Sequence, residues 1–232
     1  MVGNRNAIIV AVIVWLLPAF GLAKDRPIRI MPLGDSITQG YKGQDSYRRN
    51  LWLKLITAGI EADFVGSLKK NYRGKPLHAD FDMDHEGHWG WRADHVLAKI
   101  NEWSAKNTPD IVLLHLGTND IGTGEEIEET AKEISDIIGT LRKQNSRVSV
   151  LLAQIIPVDD EAANKRIKKF NHRLELLAKR IGTTESPVIS VNHFDGFDPK
   201  SDTDDGVHPN EMGMEKMAET WFQALTRLVG AR

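Results

Sequence analysis

The chain has 232 residues, is 41% hydrophobic, and carries 30 basic and 32 acidic side chains for a formal net charge of −2. That length and apolar content suit one full core rather than two, and near-neutrality without a long run of one sign leaves no footprint for a nucleic acid. Cysteine is absent, which rules out a disulfide framework, a thiolate metal site and a cysteine-borne lipid anchor.

In chain order, residues 1–23 stand apart. Arg5 is their only charge, Ala7 to Leu17 is an apolar run, and Pro18, Gly21 and Ala23 follow. This is the pattern of a secretory signal peptide cleaved after Ala23, since the run is short for a membrane span. Residues 24–232 are then expected to form a single secreted or periplasmic domain with no stable membrane anchor.

From Ile28 onward, strand and helix patterns alternate. Ile28 to Leu33 reads as a buried strand that ends abruptly in Gly34-Asp35-Ser36. Leu51, Trp52, Leu55 and Ile56 recur at helical spacing, with Gly59 as the stop, and a short strand is expected over Asp63 to Ser67. Leu68 to Gly90 has no periodicity, and loops of this length are usually functional. Ala93, Val96, Leu97, Ile100 and Trp103 predict one helix, and Ile111 to Leu116 a strand covered on both faces. Thr123 and Glu126 have the spacing of a capping box for the helix bearing Ile127, Ala131, Ile134, Ile138 and Leu141. Val148 to Ile156 is the fourth strand. A helix from Ile167 to Ile181, a strand over Val188 to Val191, and a helix burying Met214, Met217, Trp221, Leu225 and Leu228 complete the chain. Five strands separated by helices imply an α/β three-layer sandwich with a parallel sheet.

In such a fold ligands bind beyond the carboxyl ends of the strands, and three polar stretches fall there. Ser36 follows the first strand, Gly117-Thr118-Asn119-Asp120 the third, and Asp205-Gly206-Val207-His208 the fifth. A serine hydroxyl needs a base to take its proton, and the base works best when a third group fixes its tautomer. His208 is the candidate base and Asp205, three residues earlier, its orienting acid. The oxyanion of an acyl-transfer intermediate needs donors, for which Asn119 offers an amide and Ser36 and Gly90 offer backbone N–H groups. Trp89, Trp91, Tyr41 and Tyr72 lie in or near this rim and are candidates to stack on a substrate.

These blocks resemble the SGNH hydrolases, also called the GDSL family: Gly34-Asp35-Ser36 its first, Gly90 in His88-Trp89-Gly90-Trp91 its second, Gly117-Thr118-Asn119-Asp120 its third and Asp205-Gly206-Val207-His208 its last. The resemblance implies a flavodoxin-like sheet of order 2-1-3-4-5. It also implies Ser36 as nucleophile, His208 as base, Asp205 as its partner and Ser36, Gly90 and Asn119 as the oxyanion hole, with Asp35 shaping the turn. Arg29 to Thr38 and His85 to Trp91 further resemble carbohydrate esterases of the family-three type, which remove acetyl groups from xylan. Trp89 departs from that pattern, which often has a small residue there.

The expectation is therefore an esterase acting on short acyl groups of a carbohydrate, in preference to lysophospholipid, arylester or thioester substrates, or to an inactive glycan-binding domain. No cofactor or metal is expected. Asp80, Asp82 and Asp84 begin like a calcium loop, but His85 and Trp91 stand where it needs Gly and Glu. The spacing of His85 and His88 is not that of a zinc hydrolase, and Gly34 to Gly40 lacks the ending of a nucleotide-binding loop.

Overall fold

The computed structural model describes residues 26–230, so the leader expected over residues 1–23 lies outside the described residues. Six parallel strands are present: β1 (Ile28–Gly34), β2 (Ala62–Phe64), β3 (Glu86–Gly87), β4 (Ile111–His115), β5 (Ser149–Gln154) and β6 (Val188–Asn192). They alternate with α1 (Ser36–Gln39), α2 (Ser46–Thr57), α3 (Ala93–Leu97), α4 (Ile100–Lys106), α5 (Thr118–Thr123), α6 (Ile127–Gln144), α7 (Glu161–Ile181), α8 (Pro199–Asp202) and α9 (Glu211–Gly230). The sheet order β2-β1-β4-β5-β6 is the expected order 2-1-3-4-5 once the additional β3 is counted.

Two cores flank the sheet because side chains alternate along each strand. Met31, Leu33, Val112, Leu114, Val150 and Leu152 pack against α3, α4, α6 and α7. Ile28, Ile30, Ile111, Leu113, Leu151 and Ala153 pack against α2 and α9. β4 is buried at every position, as its continuous apolar run predicts for a strand covered on both sides. The strand order reverses at β1, between β2 and β4, and that is where such sheets open a crevice.

Several local expectations are corrected. The helix expected from Ala93 to Trp103 is two, because the chain turns at Ala98 and Lys99 with the Lys99 N–H on the Val96 carbonyl. Thr123 does not cap α6; it ends α5, where its hydroxyl bonds the Asn119 carbonyl at 2.9 Å, and Glu126 precedes α6 without a side-chain cap. Ile56 is exposed on the outer face of α2. β2 stops at Phe64 rather than Ser67, whose N–H and hydroxyl are held by the Glu86 carboxylate at 2.8 and 2.7 Å. Within the loop before α3, β3 extends the edge of β1, pairing Leu33 with Glu86 and Gly34 with Gly87.

On the α2/α9 side, at the carboxyl end of the sheet, two imidazoles are buried with an indole. His115 and His193 lie edge to face with centroids 6.0 Å apart, and His193 is 4.3 Å from Trp221. Their ring nitrogens have no hydrogen-bond partner among the described residues. Burial lowers the His115 pKa to about 4, and burial together with His115 takes that of His193 well below the ordinary value. An unfolded chain protonates its histidines near pH 6.5, whereas the folded chain leaves His115 neutral until near pH 4. The stability contributed by neutral His115 is complete above pH 6.5 and drains away as the pH falls toward 4, by roughly 3 kcal/mol. Asp35, whose pKa burial raises to about 7, acts in the opposite sense over an overlapping range, so the effect is read by difference. The stability of the wild type minus that of His115→Gln, from urea unfolding, is expected to shrink between pH 7 and pH 4.5; a constant difference contradicts this account.

Candidate active site

The turn that carries Ser36 is built by packing. A Cβ on Gly34 would lie 2.2 Å from the His115 carbonyl oxygen and 2.6 Å from Thr38 Oγ1, so no larger residue can end β1 this close to β4. Asp35 caps α1, its Oδ1 accepting the Ile37 N–H at 3.0 Å. This is the turn-shaping role expected of it; the carboxyl is fully buried, and burial followed by the neighbouring Asp120 raises its pKa to about 7 despite the Ile37 bond. Ser36 is the first residue of α1, and Gly40, at φ 74°, releases the chain after one turn. Arg48, buried, donates to the Thr38 and Gln39 carbonyls and to Asn71 Oδ1, locking the far end of that turn.

The second contribution comes from the loop between α8 and α9. Asp205 Oδ1 accepts the N–H groups of Val207 and His208, at 3.0 and 2.8 Å, and its Oδ2 lies 2.8 Å from His208 Nδ1. Burial works to raise the Asp205 pKa, but these bonds from His208 and Val207 outweigh it and hold the carboxylate below its usual value. An ionised Asp205 requires the proton on Nδ1, leaving Nε2 as the acceptor. Nε2 lies 2.9 Å from Ser36 Oγ.

The third comes from β4 and the loop before α3. Gly117, at φ 119°, packs against Phe170, whose Cε1 would be 2.4 Å from a Cβ there, and it opens α5. Asn119 Nδ2 donates one hydrogen to the Trp91 carbonyl at 2.9 Å, which orients the amide and leaves the second hydrogen to point elsewhere. Gly90 is exposed at φ 75°, and neither its N–H nor that of Ser36 has an acceptor among the described residues. Gly87 has a different task. Its N–H is held by His85 Nδ1 at 3.0 Å, and a Cβ there would meet the Gln39 nitrogen at 2.5 Å.

Trp89 lies on the site, in an arrangement the sequence did not disclose. Its indole stacks on His208 at 4.6 Å and on Tyr72 at 4.7 Å, each 16° from parallel. Two rings that close on one face would touch each other, so His208 and Tyr72 occupy opposite faces and neither remains for a sugar. The Trp89 N–H is anchored by Gln39 Oε1 at 2.7 Å. Tyr41 meets Trp89 edge-on at 5.7 Å and is 38% exposed as a residue. Trp91 turns inward, between His88 at 4.3 Å and His95 at 5.8 Å, and reaches the site through its carbonyl. The partly open space beside Ser36, bounded by Ile37, Tyr41, Trp89, His208 and Met214 among others, measures about 10 Å³, the room one water needs. A cavity of about 380 Å³ between the loop after β6 and α9, bordered by His193 and Lys216 among others, contains no residue of this site.

The residues that hold the site but escaped sequence reading are Gln39, Arg48, Asn71 and Glu86. Each is a buried polar group serving the backbone of a distant loop, and nothing in local spacing marks such a pairing. Glu86 accepts from Ser67 and lies 2.7 Å from His88 Nε2. Among the described residues no group of three or more side chains is arranged to hold a metal; Asp80 pairs with Arg49, Asp82 accepts the Phe64 N–H, and Asp84 pairs with Lys69.

Known proteins resemble this chain in sequence and in fold. The profile of the GDSL-like Lipase/Acylhydrolase family matches residues 33–216. A multidomain esterase of Ruminococcus flavefaciens is 29% identical over 222 residues, which is 85% of this chain but only 28% of that protein. The chain thus spans little more than a quarter of that relative's length. The crystal structure of an acetyl esterase mutant with an acetate ion is 30% identical with a TM-score of 0.78, covering 88% of this chain and 99% of that one. A carbohydrate esterase family 3 structure from Talaromyces cellulolyticus is 31% identical, with the same TM-score of 0.78 and coverage of 88% and 99%. With the family's blocks gathered on one rim of the sheet, the chain belongs to the GDSL-like lipase/acylhydrolase family of carboxylic ester hydrolases.

Proposed function

We propose that this domain is a serine esterase, exported by the leader read in residues 1–23, that removes acetyl or similarly short acyl groups from a carbohydrate. The observation that carries the reading is the unbroken chain Asp205–His208–Ser36, at 2.8 and 2.9 Å, beside a small, partly open space. Ser36 Oγ attacks the ester carbonyl as its proton passes to His208 Nε2, and Asp205 stabilises the imidazolium so formed. The oxyanion takes hydrogen bonds from the Ser36 and Gly90 N–H groups and from the free Asn119 amide hydrogen. Collapse expels the sugar alcohol, protonated by His208. Water, deprotonated by His208, then releases the carboxylic acid and restores Ser36.

The indole face of Trp89 adds an electrostatic contribution to this cycle. Imidazolium over an aromatic face is favoured by about 0.5–2 kcal/mol, and the stack resists rotation of the ring away from Ser36. The likeness to a carbohydrate esterase of family 3 and to an acetyl esterase supports the choice of an acetylated sugar, as does the small space at the nucleophile.

Ser36→Ala is expected to lower kcat on p-nitrophenyl acetate by roughly 10⁴-fold or more with an unchanged melting temperature, and Asn119→Ala by about 10²–10³-fold; full activity in Ser36→Ala refutes the nucleophile. Across p-nitrophenyl esters, kcat/KM is expected to fall steadily from acetate to octanoate, and acetate release from acetylated xylan to exceed turnover of a lysophospholipid control. Trp89→Ala is expected to lower kcat on p-nitrophenyl acetate about tenfold, with Trp89→Phe retaining most of it; an unchanged kcat in Trp89→Ala removes Trp89 from the chemistry.

A further inference from the structure

The stack on His208 does not end at Tyr72. The Arg73 guanidinium carbon lies over the Tyr72 ring, 5.2 Å from its centroid, and hydrogen bonding to the Tyr41 and Tyr72 side chains raises its pKa, so Arg73 continues the contacts that begin at His208, Trp89 and Tyr72. Arg73 holds φ at 62°, a left-handed conformation that disfavours any residue with a Cβ. Such outliers persist where surrounding structure imposes them, and they gather at functional sites. Here the surroundings are visible. Asn71 Nδ2 donates to the carbonyl of Tyr41, the Lys42 N–H donates to the Tyr72 carbonyl, and the Gly43 N–H donates to the Lys75 carbonyl.

These bonds set three basic residues, Lys42, Arg73 and Lys75, on adjoining backbone segments. The Lys42 stem lies over Gly74, where a Cβ would meet its Cγ at 2.8 Å, between Arg73 and Lys75. All three are exposed. Nearby, Lys69 pairs with Asp84 and Arg49 of α2 with Asp80, whereas Lys42, Arg73 and Lys75 form no ion pair among the described residues. In a chain of net charge −2 this is a local concentration and not a general basicity. It adjoins Tyr41, whose ring is the exposed aromatic surface of the rim.

We infer that Arg73, with Lys42 and Lys75, forms a subsite for a carboxylate on the substrate, so that the preferred polymer is an acetylated polysaccharide bearing uronic-acid groups. The inference rests on the esterase reading above and deepens it. A guanidinium fork matches a carboxylate in two parallel bonds, and its position at the outer end of the stack sets that carboxylate on a unit beyond the one that loses its acyl group. Tyr41 offers the intervening sugar an apolar face. The exposed charges also attract a polyanion before contact, an effect that salt screens.

The test compares glucuronoxylan with carboxyl-reduced glucuronoxylan, each acetylated to the same degree, with p-nitrophenyl acetate as the reference for the esterase itself. At low salt kcat/KM is expected to be about three- to tenfold higher on the uronate-bearing polymer, residing in KM and fading in 0.5 M NaCl. Arg73→Gln is expected to abolish most of that preference and Arg73→Lys to retain part of it. Equal rates on the two polymers, or a preference that survives Arg73→Gln, overturn the subsite. Retention on anionic phosphatidylglycerol vesicles without discrimination between the polymers also overturns it and assigns the patch to a lipid surface. Loss of p-nitrophenyl acetate hydrolysis in the wild type would instead strike the esterase reading.

Discussion

The arrangement depends on one steric fact: β1 and β4 approach so closely at their carboxyl ends that position 34 has no room for a Cβ. That approach allows Gly34 to pair with both His115 and Gly87 and brings the nucleophile turn, the Asn119 helix and the loop before α3 to one crevice. Parallel sheets open such a crevice wherever the strand order reverses. Here the reversal sits at β1, and the residue after the close contact and its cap is Ser36. The site is a product of backbone packing before it is one of side-chain chemistry.

Around that contact the loops are coupled by buried polar groups instead of an apolar core. Gln39 ties the nucleophile turn to Trp89, Arg48 ties it to Asn71, and Asn71 ties the 70s loop to Tyr41. The Trp91 carbonyl then aims Asn119. Each link is a hydrogen bond between segments far apart in sequence, and burial makes each costly to leave unmet. A long irregular segment, Leu68 to Trp91, therefore stays ordered without helix or sheet beyond two residues of β3. Its aromatic residues are fixed as a stack instead of lying open as a platform.

What sequence could and could not disclose follows from the range of the interactions. The strand order and the two-faced burial of β4 were legible because a continuous apolar run between amphipathic helices has few alternatives. That Ser36, Asp205 and His208 meet was legible because each belongs to a short polar motif that follows a strand of the sheet. The role of Trp89 was not: an aromatic residue in a loop can stack on substrate or on a neighbour, and only His208 and Tyr72 at 4.6 and 4.7 Å decide it. The break at Ala98 and the failed cap at Thr123 were missed because both depend on which of two adjoining helices claims a residue. Gln39, Arg48 and Glu86 were silent because their partners lie in other loops.

The Asp205–His208 loop is tied chiefly to itself. Asp204 bonds the His208 carbonyl, Thr203 holds the Gly206 N–H, and Gly206 accepts from Asp159. The Asp205–His208 distance is thus set inside one short loop, whereas the 2.9 Å contact from His208 Nε2 to Ser36 Oγ joins segments far apart in sequence. That second contact is braced from outside by Trp89, which stacks on His208 and is anchored by Gln39 of the Ser36 turn. A change at position 89 or 39 therefore acts on the gap between the two segments and leaves the pairing within the loop alone.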